Sequence, residues 1–234
     1  MPHEDFIYYG DSLNAPYGTK SVDEIRDLTF AIVDKLLKLG IKGLAVACNT
    51  ATSAAVRQLR IMYPDLTIVG IEPAIKPAVE SNHGGEILVM ATPMTIKQEK
   101  FNRLLDIYKD RAKIIPVSCK GLMEFVEHGN LNGSFLEAYF NETLVPYLND
   151  TTETIVLGCT HYPFLRPYLK EFLGERRIQI IDGSHGTSCE LKRQLAGKKL
   201  LQKENHEGKV VIKNSMDEPE MIDLSWKLLN LPID

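Results

Sequence analysis

Two rhythms of apolar residues alternate along this chain. Val22, Ile25, Leu28, Ile32 and Leu36 recur at helical spacing and predict an amphipathic helix over Ser21 to Leu39. Ser21, with Glu24 three residues on, forms a capping pattern at its start, and Gly40 stops it. Gly43 to Ala47 is instead an unbroken apolar run, as in a strand buried on both faces. The alternation continues, with a first strand at Asp5 to Tyr9, a helix from Thr52 to Met62 and a strand at Leu66 to Ile71. Further strands are predicted at Ile87 to Ala91, Ala112 to Pro116, Thr154 to Leu157 and Ile178 to Ile181. Between them lie helical stretches over Thr95 to Tyr108, Lys120 to His128, Gly133 to Leu148 and Tyr162 to Leu173. Lys209 to Lys213 reads as a last strand and Glu220 to Leu229 as a terminal helix. Strands that alternate with helices predict the α/β class, parallel sheets covered by helices.

Composition narrows the function classes. A chain of 234 residues, 44% hydrophobic and 25% charged, has enough apolar material for a sizeable core. Twenty-seven basic residues against 31 acidic ones give a net charge of -4. A broad cationic surface is therefore absent, and nucleic acid is not an expected partner. The chain starts MPHEDFIYYG, acidic where a secretory signal would be basic, and no apolar run approaches the ~20 residues of a membrane span. A cytoplasmic protein with no membrane partner is the expectation.

Cys48, Cys119, Cys159 and Cys189 are too widely spaced for a CxxC pair or a zinc knuckle. Cys119 and Cys189 read as small buried hydrophobes. Cys48 and Cys159 share a plan: GLAVACNT at 43–50 and TIVLGCT at 154–160 each run from an apolar strand through a small residue to Cys, then to amide or hydroxyl side chains and a helical pattern. Both thiols are thus expected just past a strand's C-terminal end and at or near a helix start, where α/β sheets bind ligands and a helix dipole lowers a thiol pKa. The repetition suggests two similar halves facing each other across a cleft, each presenting one thiol. Zinc lacks a compact set of further ligands, so no metal is expected. A nucleophilic role would find a base in His161, two residues from Cys159. A pair of proton carriers on opposite faces of one carbon would invert a stereocentre.

The motifs that carry this chemistry resemble those of the glutamate racemases, in the aspartate/glutamate racemase family. They are VACNTATSAA at 46–55, GIEPAIKPA at 70–78 and LGCTHYPFL at 157–165, joined by GDSLNAPYGTKS at 10–21 and MATPMTIKQEKF at 90–101. The resemblance implies two open parallel-sheet lobes with the active-site cleft between them, one lobe at 1–74 plus 185–234 and the other at 75–184. It implies interconversion of L- and D-glutamate without a cofactor, supplying D-glutamate to peptidoglycan. Cys48 and Cys159 would be the proton carriers, with Glu127 and His161 assisting on the Cys159 side. Pro16, Tyr17, Gly18, Asn49, Thr50, Thr92 and Thr160 match the residues that hold the substrate. Glutamate is then the small-molecule partner, and a homodimer the expected assembly.

One departure from the family pattern stands at the beginning. Members carry a DSGxGG strand, turn and helix ahead of the segment that here starts at residue 1, about thirty residues by the size of such a unit. Asp11-Ser12 do not supply it, because Pro16-Tyr17-Gly18 fixes them in the following segment. The expectation is an N-terminally shortened chain whose first lobe lacks a βα element, which leaves Cys48 without its usual Asp and exposes strand edges. Two alternatives stay open beside the racemase: a catalytically silent glutamate-binding relative, and a racemase of another acidic amino acid such as aspartate. A cysteine-based redox protein is a third, and needs the two thiols within disulfide reach.

Overall fold

The structure, a computed structural model, describes residues 1–203, 205–216 and 218–233. The chain begins with β1 (Phe6–Gly10), two 3-10 turns at Ser12–Asn14 and Tyr17–Thr19, and α1 (Val22–Leu37). Then come β2 (Gly43–Val46), α2 (Asn49–Met62), β3 (Thr67–Gly70) and α3 (Ile75–Glu80). The middle of the chain holds β4 (Glu86–Ala91), α4 (Pro93–Lys97), α5 (Glu99–Tyr108), β5 (Lys113–Ser118), α6 (Leu122–Glu127) and α7 (Ser134–Thr143). It continues through β6 (Thr152–Leu157), α8 (Arg166–Leu173) and β7 (Gln179–Asp182). Finally α9 (Ser184–Gly197), β8 (Val210–Asn214) and α10 (Pro219–Leu229) follow. All described strand pairs are parallel, as the α/β reading requires.

One sheet has the order β5-β4-β6-β7. Its central strand β4 is buried at all six positions, which is why its sequence EILVMA shows a run instead of alternation. On one face Leu88, Met90, Ile155 and Leu157 pack against α6, α7 and α8 through Val126, Phe140 and Leu169. On the other, Ile87, Val89 and Val156 pack on Ile75 and Val79 of α3 and Phe101 of α5. The remaining four strands form two separate pairs, β1 with β8 and β2 with β3, not one sheet. A shared core joins them: Ile7 and Tyr9 of β1 pack on the cluster that Ile25 and Val33 of α1 make with Leu44 and Val46 of β2 and Leu59 of α2. α9 returns the chain to this side and lies against β2 and β3.

Helix α1 starts as its sequence demands, with Ser21 Oγ accepting the Glu24 N–H at 3.2 Å. Other boundaries moved for local reasons. The predicted helix over Thr95 to Tyr108 is broken at Gln98, whose ψ of 136° is extended, so α4 and α5 are separate. Gly121, at a φ of 84°, caps a helix α6 of only six residues. The helix from Gly133 gives way to a 3-10 turn at Val145–Tyr147, where Pro146 has no N–H to continue the ladder. Helices α3 and α9 were not anticipated from the pattern. No described helix is long and apolar enough to cross a membrane.

Candidate active site

Each candidate thiol sits at the end of a strand, but the two ends are built differently. Cys48 is the N-cap of α2, three residues earlier than the periodicity places the helix, and its Sγ accepts the Ala51 N–H at 3.5 Å. A helix start should lower its pKa, yet burial dominates and pushes the Cys48 thiol up, against the Ala51 hydrogen bond. Charge on Cys159 raises it further. Cys159 follows β6 and Gly158, and it opens a 3-10 turn at Tyr162–Leu165 and not a helix; α8 begins only at Arg166. Cys48 therefore stands at a helix start and Cys159 near one, as the shared plan expects.

His161 turns back onto Cys159, with Nδ1 3.8 Å from Sγ, and its Nε2–H donates to Glu127 Oε1 at 2.7 Å. Burial alone would lower the imidazole pKa, but hydrogen bonds to Cys159 and Glu127 outweigh it and push it up to about 10. Near neutral pH it is a cation. The His161 hydrogen bond in turn holds the Glu127 carboxyl below the usual range, against the cost of burial. Glu127 ends α6, and the fold carries it to His161 across 34 positions of sequence.

Hydroxyl and amide groups line the space around Cys48. Asn49 and Thr50, in the first turn of α2, are buried, and Asn49 Oδ1 has no hydrogen-bond partner among the described residues. Thr92 caps α4 by accepting the Thr95 N–H at 3.2 Å, and the Thr95 hydroxyl lies 2.9 Å from that of Thr92 and 3.3 Å from that of Thr50. Thr95 thus ties α2 to α4; its place three residues after a capping Thr is the sequence signal that could have marked it. A Cβ on Gly18 would stand 3.3 Å from the Thr92 side chain, so glycine lets the Tyr17–Thr19 turn approach α4. Pro16 precedes that turn, and the Tyr17 hydroxyl donates to Asp11 Oδ2 at 2.6 Å. Burial, then this bond, raises the Tyr17 pKa. Tyr17 packs in the same cluster as Cys48. Thr160 stands half-buried between Cys159 and His161.

The other two cysteines part ways. Cys119 is buried in the large core, as a small hydrophobe. Cys189 is exposed, which corrects its expected burial: α9 turns Leu191 and Leu195 inward, and residue 189 falls on the opposite side of the helix. Among the described residues, no three His, Cys, Asp or Glu side chains converge as metal ligands. A cavity of about 280 Å³ opens beside Asn49 and Thr95, under the 2.6 Å ion pair of Lys100 with Glu72, and neither thiol lines it.

Gly158 fixes where Cys159 can be. A Cβ there would lie 2.7 Å from the Met90 carbonyl oxygen, a backbone atom that also accepts the Gly158 N–H at 2.7 Å. Gly158→Ala is expected to cost about 1–3 kcal/mol of stability through overpacking and to shift Cys159 off its line with His161. A thermal melt and a turnover assay check this; an alanine variant equal to the parent in both would show that β6 yields easily.

Comparison with known proteins adds independent information. The Asp/Glu/hydantoin racemase family profile matches residues 1–185. A glutamate racemase of Clostridium botulinum is 52% identical over 231 residues, which cover 99% of this chain and 89% of that protein. The crystal structure of a glutamate racemase isoform from Bacillus anthracis superposes with a TM-score of 0.85 at 29% identity, covering 100% of this chain and 87% of that one. That of the Thermus thermophilus glutamate racemase in complex with beta-chloro-D-alanine gives 0.79 at 25% identity, covering 100% and 86%.

Proposed function

Because this chain belongs to the Asp/Glu/hydantoin racemase family, we propose that it interconverts L- and D-glutamate by proton transfer between Cys48 and Cys159, without a cofactor. The observation that carries the reading is the hydrogen-bonded line Cys159, His161, Glu127, together with a second, half-buried thiol at the N-cap of α2, Cys48. In each turnover a base on one face takes the α-proton as the C–H bond breaks. The thiol on the other face gives its proton to the same carbon. The stereocentre inverts, and the two sulfurs exchange protonation states. Cys48, whose pKa burial raises, rests as the proton donor. On the Cys159 side the His161 imidazolium, stabilised by Glu127, can give a hydrogen ion to the sulfur and take it back.

The intermediate carries negative charge next to the substrate carboxylate. Hydroxyls of Thr50 and Thr92 and the N–H groups at the start of α2 are fixed before the reaction, so little reorganisation is needed as that charge develops. Asn49, Thr160, Pro16, Tyr17 and Gly18 complete the proposed substrate shell. The name glutamate racemase borne by the Clostridium botulinum relative supports glutamate over other acidic amino acids. The reading extends to a cytoplasmic homodimer that supplies D-glutamate to peptidoglycan.

Circular dichroism of L-glutamate incubated with the protein tests this directly. The signal is expected to decay to zero as the racemic mixture forms, and deuterium from D2O is expected at the α-carbon. Aspartate is expected to react far more slowly. Glutamate binding by calorimetry with no change in rotation would instead identify a silent binding protein.

A further inference from the structure

Asp11 follows β1 and opens the first 3-10 turn, a position where an aspartate ordinarily turns its carboxylate onto the backbone N–H groups ahead of it. This one makes no such bond. Its carboxylate reaches past its own turn to the next, where the Tyr17 hydroxyl donates to Oδ2 at 2.6 Å. Asn14 Nδ2 donates to both carboxylate oxygens, at 2.9 and 3.1 Å. Asp11, Asn14 and Tyr17 are all half-buried, which shields these bonds from competing water. Asp11 therefore braces one 3-10 turn against the other. The Tyr17–Thr19 turn is also tied within itself, the Lys20 N–H donating to the Tyr17 carbonyl at 3.2 Å and the Thr19 hydroxyl to the Pro16 carbonyl at 3.1 Å. Its far side meets α4, where Gly18 comes so close that a Cβ would stand 3.3 Å from the Thr92 side chain. Thr92 in turn is joined through Thr95 to Thr50 of α2. Residues 16–18 are thus gripped between a carboxylate and a row of hydroxyls.

We propose that Asp11 is a positioning residue whose carboxylate, through the Tyr17 hydroxyl, sets residues 16–18 against Thr92 and so fixes one wall of the substrate pocket. The inference rests on the proposed substrate shell for its effect on glutamate binding, but not on the two-thiol chemistry. A hydroxyl has one hydrogen to donate, and that of Tyr17 is taken by Asp11. Tyr17 therefore acts through the place it gives its turn and not as a donor to the substrate. Without the carboxylate the Tyr17 hydroxyl loses its fixed partner, and the turn is free to leave Thr92. The substrate must then order that turn as it binds, which weakens affinity. The two thiols and His161 are left where they were, so the loss falls on KM and not on kcat.

The test is a double-mutant cycle read by calorimetry with D-glutamate and by steady-state kinetics. Asp11→Ala is expected to raise Kd and KM about tenfold, the worth of one hydrogen bond to a charged group, with kcat within about threefold of the parent. Tyr17→Phe is expected to raise Kd by a similar factor. The double variant should bind no worse than either single one, because both changes remove the same bond. Asn14→Ala, which frees the carboxylate but keeps the Tyr17 bond, is expected to raise Kd about threefold and serves if Asp11→Ala does not fold. An unchanged Kd in folded Asp11→Ala overturns the proposal, as does a loss that falls on kcat with KM unmoved. So does a double variant weakened on the order of a hundredfold, since the two side chains would then act independently. A parent protein that binds glutamate without racemising it, and binds it more weakly in Asp11→Ala, would remove the racemase reading and leave the positioning role standing.

Discussion

Cys48→Ala and Cys159→Ala are each expected to reduce glutamate racemisation by at least about a thousandfold, the scale of a lost acid or base at the reacting atom. Either change removes the only group proposed to exchange a proton with its face of the α-carbon. The loss should fall almost entirely on kcat, because the Thr50 and Thr92 hydroxyls are left in place. Fold is not expected to be the reason: Cys48 lies at the start of α2 and Cys159 at the rim of its core, and alanine fits both without new atoms. Cys189→Ser, on the exposed side of α9, is the control and should match the parent. Turnover by either alanine variant within tenfold of the parent would end the two-thiol mechanism. Full activity in one of them alone would point to a single-base reaction.

The largest effect on stability is expected from Phe140→Ala. Phe140 is fully buried on α7, with ring centroids 5.2 Å from Phe172 and 6.3 Å from Tyr168 of α8, and 6.2 Å from Tyr139. Truncation leaves a cavity that α7 and α8, fixed on the central sheet, cannot close, at a cost of about 3–5 kcal/mol. For a chain of this size that corresponds to a fall in Tm of roughly 10 °C. Because Phe140 is not among the residues proposed to meet the substrate, kcat at 25 °C should stay within a few-fold of the parent. A Tm within about 2 °C of the parent would mean that the aromatic cluster is loosely packed.

Much of the candidate site's placement in the fold was legible because it is local. The strand-then-cysteine plan put Cys48 and Cys159 at strand ends, and both are there. Ser21 and Glu24 announced the start of α1 because capping acts within one turn. Less local features were hidden. Gln98 breaks a stretch of sound helical periodicity, with nothing in its own residue type to mark it. The pairing of β1 with β8 joins strands from opposite ends of the chain, and no pattern inside either one names its partner.

By itself, then, the sequence determined the α/β class, the strand and helix alternation, the two strand-end cysteines and a His close to one of them. These follow from periodicity, capping and turn chemistry, forces that act over a few residues. The tertiary structure alone decided that Cys48 is pushed up by burial and not down by its helix, that Glu127 reaches His161, and that Ser12 meets Asn214 from 202 positions away. Desolvation and long-range hydrogen bonds depend on which surfaces the folded chain brings together, and that is not a property of any one segment.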